Sequence, residues 1–251
     1  MTVVPAHARP SRPSTRPEVE FELIVPAFGA RERLPATVAA ALRFLARRPW
    51  SAAVVVVDDG VDAAPDCLDR FAASALGRAV GLEVIGGGDQ GKGAAVRQGI
   101  ATSSARFVGL ADPDDAPPVE TLDPVIELLR AGHGAVIASR HAAGRARADV
   151  ERRTARRDGG AAFRGLVPLR LPDLADLRCG FMCFPGPLAR EIVGDCHIDG
   201  FAFDVELLAH VVKSGHDVVR VPVEWTEGPT SAARRDGLRS LAGLLRVPSA
   251  G

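Results

Sequence analysis

Apolar residues in this chain fall into short runs, and most runs stop at a proline, a glycine or an acid. Phe21-Glu22-Leu23-Ile24-Val25, Ala53-Val54-Val55-Val56-Val57 and Leu82-Glu83-Val84-Ile85 each have the length of a strand, as do Phe107-Val108-Gly109-Leu110-Ala111 and Ala135-Val136-Ile137-Ala138. The continuous β-branched run at 53–57 is typical of a strand covered on both faces. Between these runs the period changes. Leu34, Val38, Leu42 and Leu45 recur at helical spacing, with Pro35 suited to a first turn. Further helices are expected at 65–76, at 94–102, and after Pro117-Pro118 with Leu122, Ile126 and Leu129 inward. This alternation predicts an α/β fold, a mostly parallel central sheet with helices on both faces.

The pattern breaks after Arg140. Residues 145–158 are arginine-rich with little apolar periodicity, which suggests a mobile loop or amphipathic segment. The run 178–184 reads as a strand, and 204–212 as a helix ended by Gly215. The run 218–223 reads as a last, edge-side strand, because Pro222 cannot donate to a ladder. Leu238, Leu241, Leu244 and Leu245 with Arg234, Arg235, Arg239 and Arg246 form a short basic amphipathic helix. Residues 1–19 carry Arg9, Arg12 and Arg16 among prolines and show no core pattern, so a disordered leader is expected there. One domain over 20–251 is the economical count.

Composition narrows the class. Of 251 residues 47% are apolar and 25% charged, as in ordinary globular proteins. Lys plus Arg equals Asp plus Glu at 31 each, so the net charge gives no pull toward nucleic acid. Aromatics at 5% and the absence of tyrosine disfavour a base-stacking surface. No stretch approaches the roughly 20 apolar residues of a membrane span, and the N-terminus lacks a hydrophobic signal core. Cys67, Cys179, Cys183 and Cys196 show neither CxxC nor zinc-like spacing. Cys179 and Cys183 lie in an apolar run and read as free thiols of a reducing compartment. A soluble cytoplasmic protein is expected.

Ligands of parallel sheets sit at the carboxyl ends of the strands. Asp58, the glycine-rich stretch 86–93 and Asp112-Pro113-Asp114-Asp115 all fall there. Two carboxylates spaced i, i+2 past a strand end can converge on one hard cation, Mg²⁺ or Mn²⁺, which takes its remaining ligands from water and substrate phosphates. A plain polar turn is the alternative. Gly86-x4-Gly91-Lys92 fits the opening of a phosphate-binding P-loop, but Gly93 stands where that motif needs a Ser or Thr hydroxyl. A milder reading keeps Lys92 or Arg97 near a diphosphate. Asp58 either accepts a hydrogen bond from a nucleobase or ribose, or closes an Asx turn. Asp204 sits where a helix N-cap belongs, a position that can also face a cleft. The six histidines show no ligand spacing.

Taken in order, several segments form a recognisable set. They are Val25-Pro26-Ala27-Phe28, Val56-Val57-Asp58-Asp59-Gly60, Gly91-Lys92-Gly93 through Gly99, Asp112-Pro113-Asp114 and Val136-Ile137-Ala138-Ser139-Arg140. Cys179-Gly180-Phe181, Asp199-Gly200-Phe201-Ala202-Phe203-Asp204-Val205-Glu206 and Val221-Pro222-Val223-Glu224-Trp225 complete it. Over residues 21–247 the set resembles family 2 glycosyltransferases of the GT-A fold, in the dolichyl-phosphate glucosyltransferase and mannosyltransferase branch. The resemblance implies a Rossmann-like nucleotide-sugar-binding half at 20–140 and an acceptor-side half at 141–251. It implies that Pro26, Ala27, Phe28 and Asp58 hold nucleobase and ribose. Lys92 and Arg97 belong to a motif lining the nucleotide pocket, and Asp112 and Asp114 bind ribose, metal and diphosphate. Ser139, Arg140 and Asp204 face sugar and acceptor, with Asp204 the candidate base.

The chain departs from the pattern in three places. Phe28-Gly29-Ala30 replaces a Tyr-Asn-Glu, Met182 replaces a lysine, and Arg178 replaces a glutamine. The function implied is an inverting, metal-dependent glycosyltransferase. Its donor is a nucleotide diphosphate sugar, UDP favoured over GDP, and its acceptor is a polyprenyl phosphate or a soluble natural-product-type molecule. The departures and the missing span favour the soluble acceptor, although the basic segments allow peripheral membrane contact. A P-loop-like nucleotide hydrolase and a non-catalytic nucleotide-sugar-binding protein are the alternatives.

Overall fold

Continuous apolar runs become fully covered strands here. The computed structural model describes residues 18–27, 32–58, 67–87, 90–113, 116–139, 180–200 and 202–223. In chain order the strands are β1 (Phe21–Pro26), β2 (Ala52–Asp58), β3 (Leu82–Gly86), β4 (Phe107–Ala111), β5 (Ala135–Ser139), β6 (Phe181–Pro185) and β7 (Val218–Pro222). The helices are α1 (Leu34–Leu45), α2 (Cys67–Ala73), α3 (Ala75–Val80), α4 (Lys92–Thr102), α5 (Leu122–Arg130), α6 (Gly186–Val193) and α7 (Phe203–Lys213). Residues 1–17 of the expected leader, the arginine-rich 145–158 and the basic helix near 234–246 lie outside the described residues.

The strands form one sheet in the order β3-β2-β1-β4-β6-β5-β7. β2, β1 and β4 run parallel, with Ile24 opposite both Val55 and Leu110. β6 is antiparallel to β4 and β5, and β7 returns parallel to β5 at the edge. A strand from beyond residue 140 is thus seated between two strands from before it. α1, α2, α3 and α5 cover one face, while α4, α6 and α7 cover the other. The chain runs outward from β1 to β2 and β3 on one side and then crosses back to β4 on the other, which opens a crevice at the carboxyl ends of β1 and β4.

Local chemistry explains several departures from periodicity. The helix expected over 65–76 is two helices, α2 and α3. Ser74 ends the first and caps the second, its hydroxyl accepting from the Gly77 N–H at 3.0 Å. α6 follows Pro185 with Pro187 in its first turn and Leu188, Ala189, Ile192 and Val193 inward. Within β4, Gly109 leaves room for Phe21: a Cβ there would lie 2.5 Å from the Phe21 ring. That ring in turn meets Trp50 edge to face at 5.8 Å.

Candidate active site

Strand ends and helix starts converge at the crevice. Pro26 and Ala27 finish β1, and the Ala27 N–H donates to Val57 O at 2.9 Å, so the segment keeps sheet register to its last residue. Asp58 closes β2 opposite Gly86, its carbonyl accepting from the Gly87 N–H. Asp112 follows β4. Its N–H donates to Gly180 O and its carbonyl accepts from the Ala116 N–H, both at 2.7 Å, which fixes the backbone on either side of the carboxylate. Ser139 ends β5 and is 1% exposed. Phe28, Asp114 and Arg140 lie outside the described residues.

The centre of the site is a buried cation between two carboxylates. Lys92 opens α4 and is 7% exposed, with its Nζ 3.0 Å from Asp112 Oδ2 and 3.5 Å from Asp204 Oδ2. One ammonium facing two carboxylates, all three little exposed, offsets the cost of burying each. Asp204 is not the N-cap that the sequence suggested: Ala202 occupies that position without a side-chain cap, and Asp204 lies in the first turn. Its carboxylate faces Lys92 and benefits from the positive end of α7.

The glycines around Lys92 have a steric cause. Gly91 has a φ of 105°, in the left-handed region. A Cβ on Gly93 would lie 2.2 Å from Ile198 O and 2.8 Å from Phe203 Cβ. Position 93 therefore cannot host the hydroxyl of a P-loop, and the hydrolase alternative loses its structural basis. Arg97, expected near the nucleotide, donates to Ile198 O at 2.8 Å and pairs with Asp199. Met182 is 1% exposed in the middle of β6, opposite Leu110 and Ile137, so its departure from the family pattern is a core substitution rather than an acceptor contact.

One buried carboxylate had no role in the sequence reading. Glu206, two residues after Asp204, is 3% exposed and accepts from the N–H groups of His197 and Ile198, each at 2.9 Å. An acid inside the mostly apolar segment Val205 to Val212 was the available signal.

Among the described residues no three His, Cys, Asp or Glu side chains form a complete metal cluster. Asp112 supplies hard oxygen donors at the crevice, which suits Mg²⁺ or Mn²⁺ completed by water and phosphate oxygens rather than a closed protein cage. No helix among the described residues is long and apolar enough to cross a membrane. Beside Asp112, a half-open cavity of about 340 Å³ is walled mainly by apolar groups, among them Ala36, Ala40, Ala111, Pro113 and Phe181.

Comparison with known proteins adds the lineage. The family model described as Glycosyl transferase family 2 matches residues 22–184. Dolichyl-phosphate beta-glucosyltransferase of Drosophila melanogaster is 31% identical over 232 residues, covering 84% of this chain and 68% of the relative. The Homo sapiens enzyme of that name is 28% identical over 235 residues, with 84% and 68% covered. Among solved structures, mannosyl-3-phosphoglycerate synthase from Rubrobacter xylanophilus superposes with a TM-score of 0.64 at 18% identity, covering 91% of this chain and 72% of that one. Glucosyl-3-phosphoglycerate synthase from Mycobacterium tuberculosis, in complex with Mn²⁺, uridine diphosphate and glucosyl-3-phosphoglycerate, gives 0.61 at 16% identity, covering 93% and 82%. These two likenesses are of fold, and the fold is of the GT-A type.

Proposed function

Because this chain belongs to glycosyl transferase family 2 and is a glycosyltransferase, we propose that it moves glucose from uridine diphosphate glucose to a polyprenyl phosphate, with inversion. One observation carries this reading: the Lys92–Asp112–Asp204 cluster stands at the crevice of a chain whose relatives are named dolichyl-phosphate beta-glucosyltransferases. The apolar cavity beside Asp112 supports a lipid acceptor, and the buried position of Met182 removes one reason for preferring a soluble one.

An acceptor phosphate oxygen attacks the anomeric carbon, the bond from that carbon to the diphosphate breaks, and uridine diphosphate leaves with the electron pair. Pro26, Ala27, Phe28 and Asp58 seat the nucleoside. Lys92 presents its ammonium at the crevice, where positive charge stabilises a departing diphosphate without reorganisation. Asp112 and Asp114 would hold a divalent ion, which would supply further positive charge against the leaving diphosphate. Ser139, Arg140 and Asp204 face sugar and acceptor. Asp204 orients Lys92 and, for a hydroxyl acceptor, serves as base.

The acceptor class is tested directly. Purified protein with Mn²⁺ and radiolabelled UDP-glucose is offered a short polyprenyl phosphate in detergent or 3-phosphoglycerate in buffer. Label in the lipid phase is expected; label in phosphoglycerate alone, or use of GDP-mannose in preference to UDP-glucose, would overturn the reading. Asp204→Asn sharpens the answer. A phosphate is already ionised near neutral pH, so a loss of about tenfold or less is expected. A hydroxyl acceptor deprived of its base would lose roughly 10²–10⁴-fold.

A further inference from the structure

Lys92 and Asp204 come from opposite parts of the chain, yet their charged atoms stand 3.5 Å apart. One short segment, residues 197–199, touches both of the helices that carry them. On the α4 side it meets the two glycines that flank Lys92. The Gly93 N–H donates to Asp199 O at 2.7 Å, and a Cβ on Gly91 would come within 2.7 Å of that same carbonyl oxygen. Arg97, one and a half turns further along α4, holds Ile198 O and the Asp199 carboxylate. From the α7 side, Glu206 takes the N–H groups of His197 and Ile198 with its two carboxylate oxygens, Oε1 and Oε2. Backbone donors and acceptors of the segment are thus satisfied from both helices at once.

We infer that Glu206 and Arg97 are positioning residues: they clamp segment 197–199 between the starts of α4 and α7 and thereby set the Lys92–Asp204 geometry. This rests on the proposed placing of Lys92 and Asp204 in the catalytic site. Neither Glu206 nor Arg97 needs to touch substrate for this. Glu206 lies inside the helix packing, and the Arg97 fork is engaged by Ile198 and Asp199. Displacing a charged group of the site by a fraction of an ångström to an ångström lowers turnover, which is the leverage available to the clamp.

Glu206→Gln keeps the shape but presents one acceptor oxygen and an amide N–H₂ to two N–H donors, so the segment loosens. Turnover is expected to fall severalfold, by no more than Asp204→Asn itself costs, with uridine diphosphate affinity within about twofold of wild type. The decisive measurement is a double-mutant cycle. A residue acting through Asp204 costs nothing further once Asp204→Asn is in place, whereas a loss of folded enzyme multiplies with it. Asp199→Asn, which removes only the exposed partner of Arg97, provides a milder second variant with the same expected non-additivity should Glu206→Gln fold poorly. If Asp204→Asn slows the enzyme while Glu206→Gln and Asp199→Asn leave it at wild-type rate, or add their losses to it, the clamp is overturned and the site reading stands. If Asp204→Asn itself runs at wild-type rate, Asp204 has no geometry worth setting and the clamp is overturned, whereas the site reading fails only if Lys92→Met also keeps transfer.

Discussion

Lys92 illustrates how one residue can serve chemistry and folding together. Its ammonium is buried against Asp112 and Asp204, so removing it leaves two carboxylates in a pocket built around a cation. Breaking a buried ion pair from one side costs roughly 3–5 kcal/mol. Lys92→Met is therefore expected to lower unfolding free energy by about 3 kcal/mol in urea, with an unchanged denaturant slope, and to abolish transfer. An unchanged midpoint would show that the two acids are solvated rather than paired. Cys196 shows the opposite economy. Burial, reinforced by the nearby negative charge of Glu206, pushes its thiol up to about 12, and it donates to Ile192 O at 3.4 Å. At pH near 8 its thiolate is scarce, so Ellman's reagent is expected to spare Cys196 in the folded protein and label it after unfolding. Mass spectrometry of the two samples distinguishes these outcomes.

At the scale of elements, helix α4 is governed by what its first turn must approach. Gly93→Ser would set a side chain against Ile198 O and Phe203 Cβ, and the backbone contact with Asp199 could not survive it. Overpacking of this kind costs about 1–3 kcal/mol, and because the contact flanks Lys92 the variant is expected to lose activity before it loses fold. A midpoint lowered in thermal unfolding together with a larger fall in turnover at low temperature would show this. The elements themselves were largely legible. β2 announced itself by an unbroken apolar run, β1 by a run broken only at Glu22, and α1 by Leu34, Val38, Leu42 and Leu45 with Pro35 at its start. Boundaries set by single side chains were less so. Ser74 splits one expected helix into two through a cap that periodicity does not encode, and Ala202 takes the cap position that Asp204 looked suited to fill. The acids at the crevice could be placed by their position after strands, because sheet topology alone brings strand ends together. The partnership of Glu206 with His197 and Ile198 could not, since it depends on how the non-periodic segment just before α7 folds back onto that helix.

Across the whole molecule, the sheet joins segments distant in sequence, and the joints at its far edge have their own electrostatics. β6 sits between β4 and β5, and among the described residues β7 pairs with β5 alone, with further contacts at the amino ends of those two strands. There Asp217 accepts from the Gly134 N–H at 2.9 Å and faces the His133 ring nitrogen at 2.6 Å. The Gly134 hydrogen bond first, and the His133 contact second, hold the Asp217 carboxyl below the usual carboxylate range. A carboxyl with a lowered folded-state pKa contributes stability that is fully present above its unfolded value, about 3.9, and is lost as pH falls through the folded value. Asp217→Asn removes that contribution. The gap in thermal midpoint between wild type and Asp217→Asn is therefore expected to be open at about pH 5 and to close below about pH 4. The gap should be small, because the group is more than half exposed and solvent screens it. A gap that persisted unchanged in acid would mean that Asp217 acts through the shape and hydrogen bonding of its side chain and not through its charge, and the absence of a gap at any pH would mean that β7 is fastened to β5 by packing and ladder bonds alone.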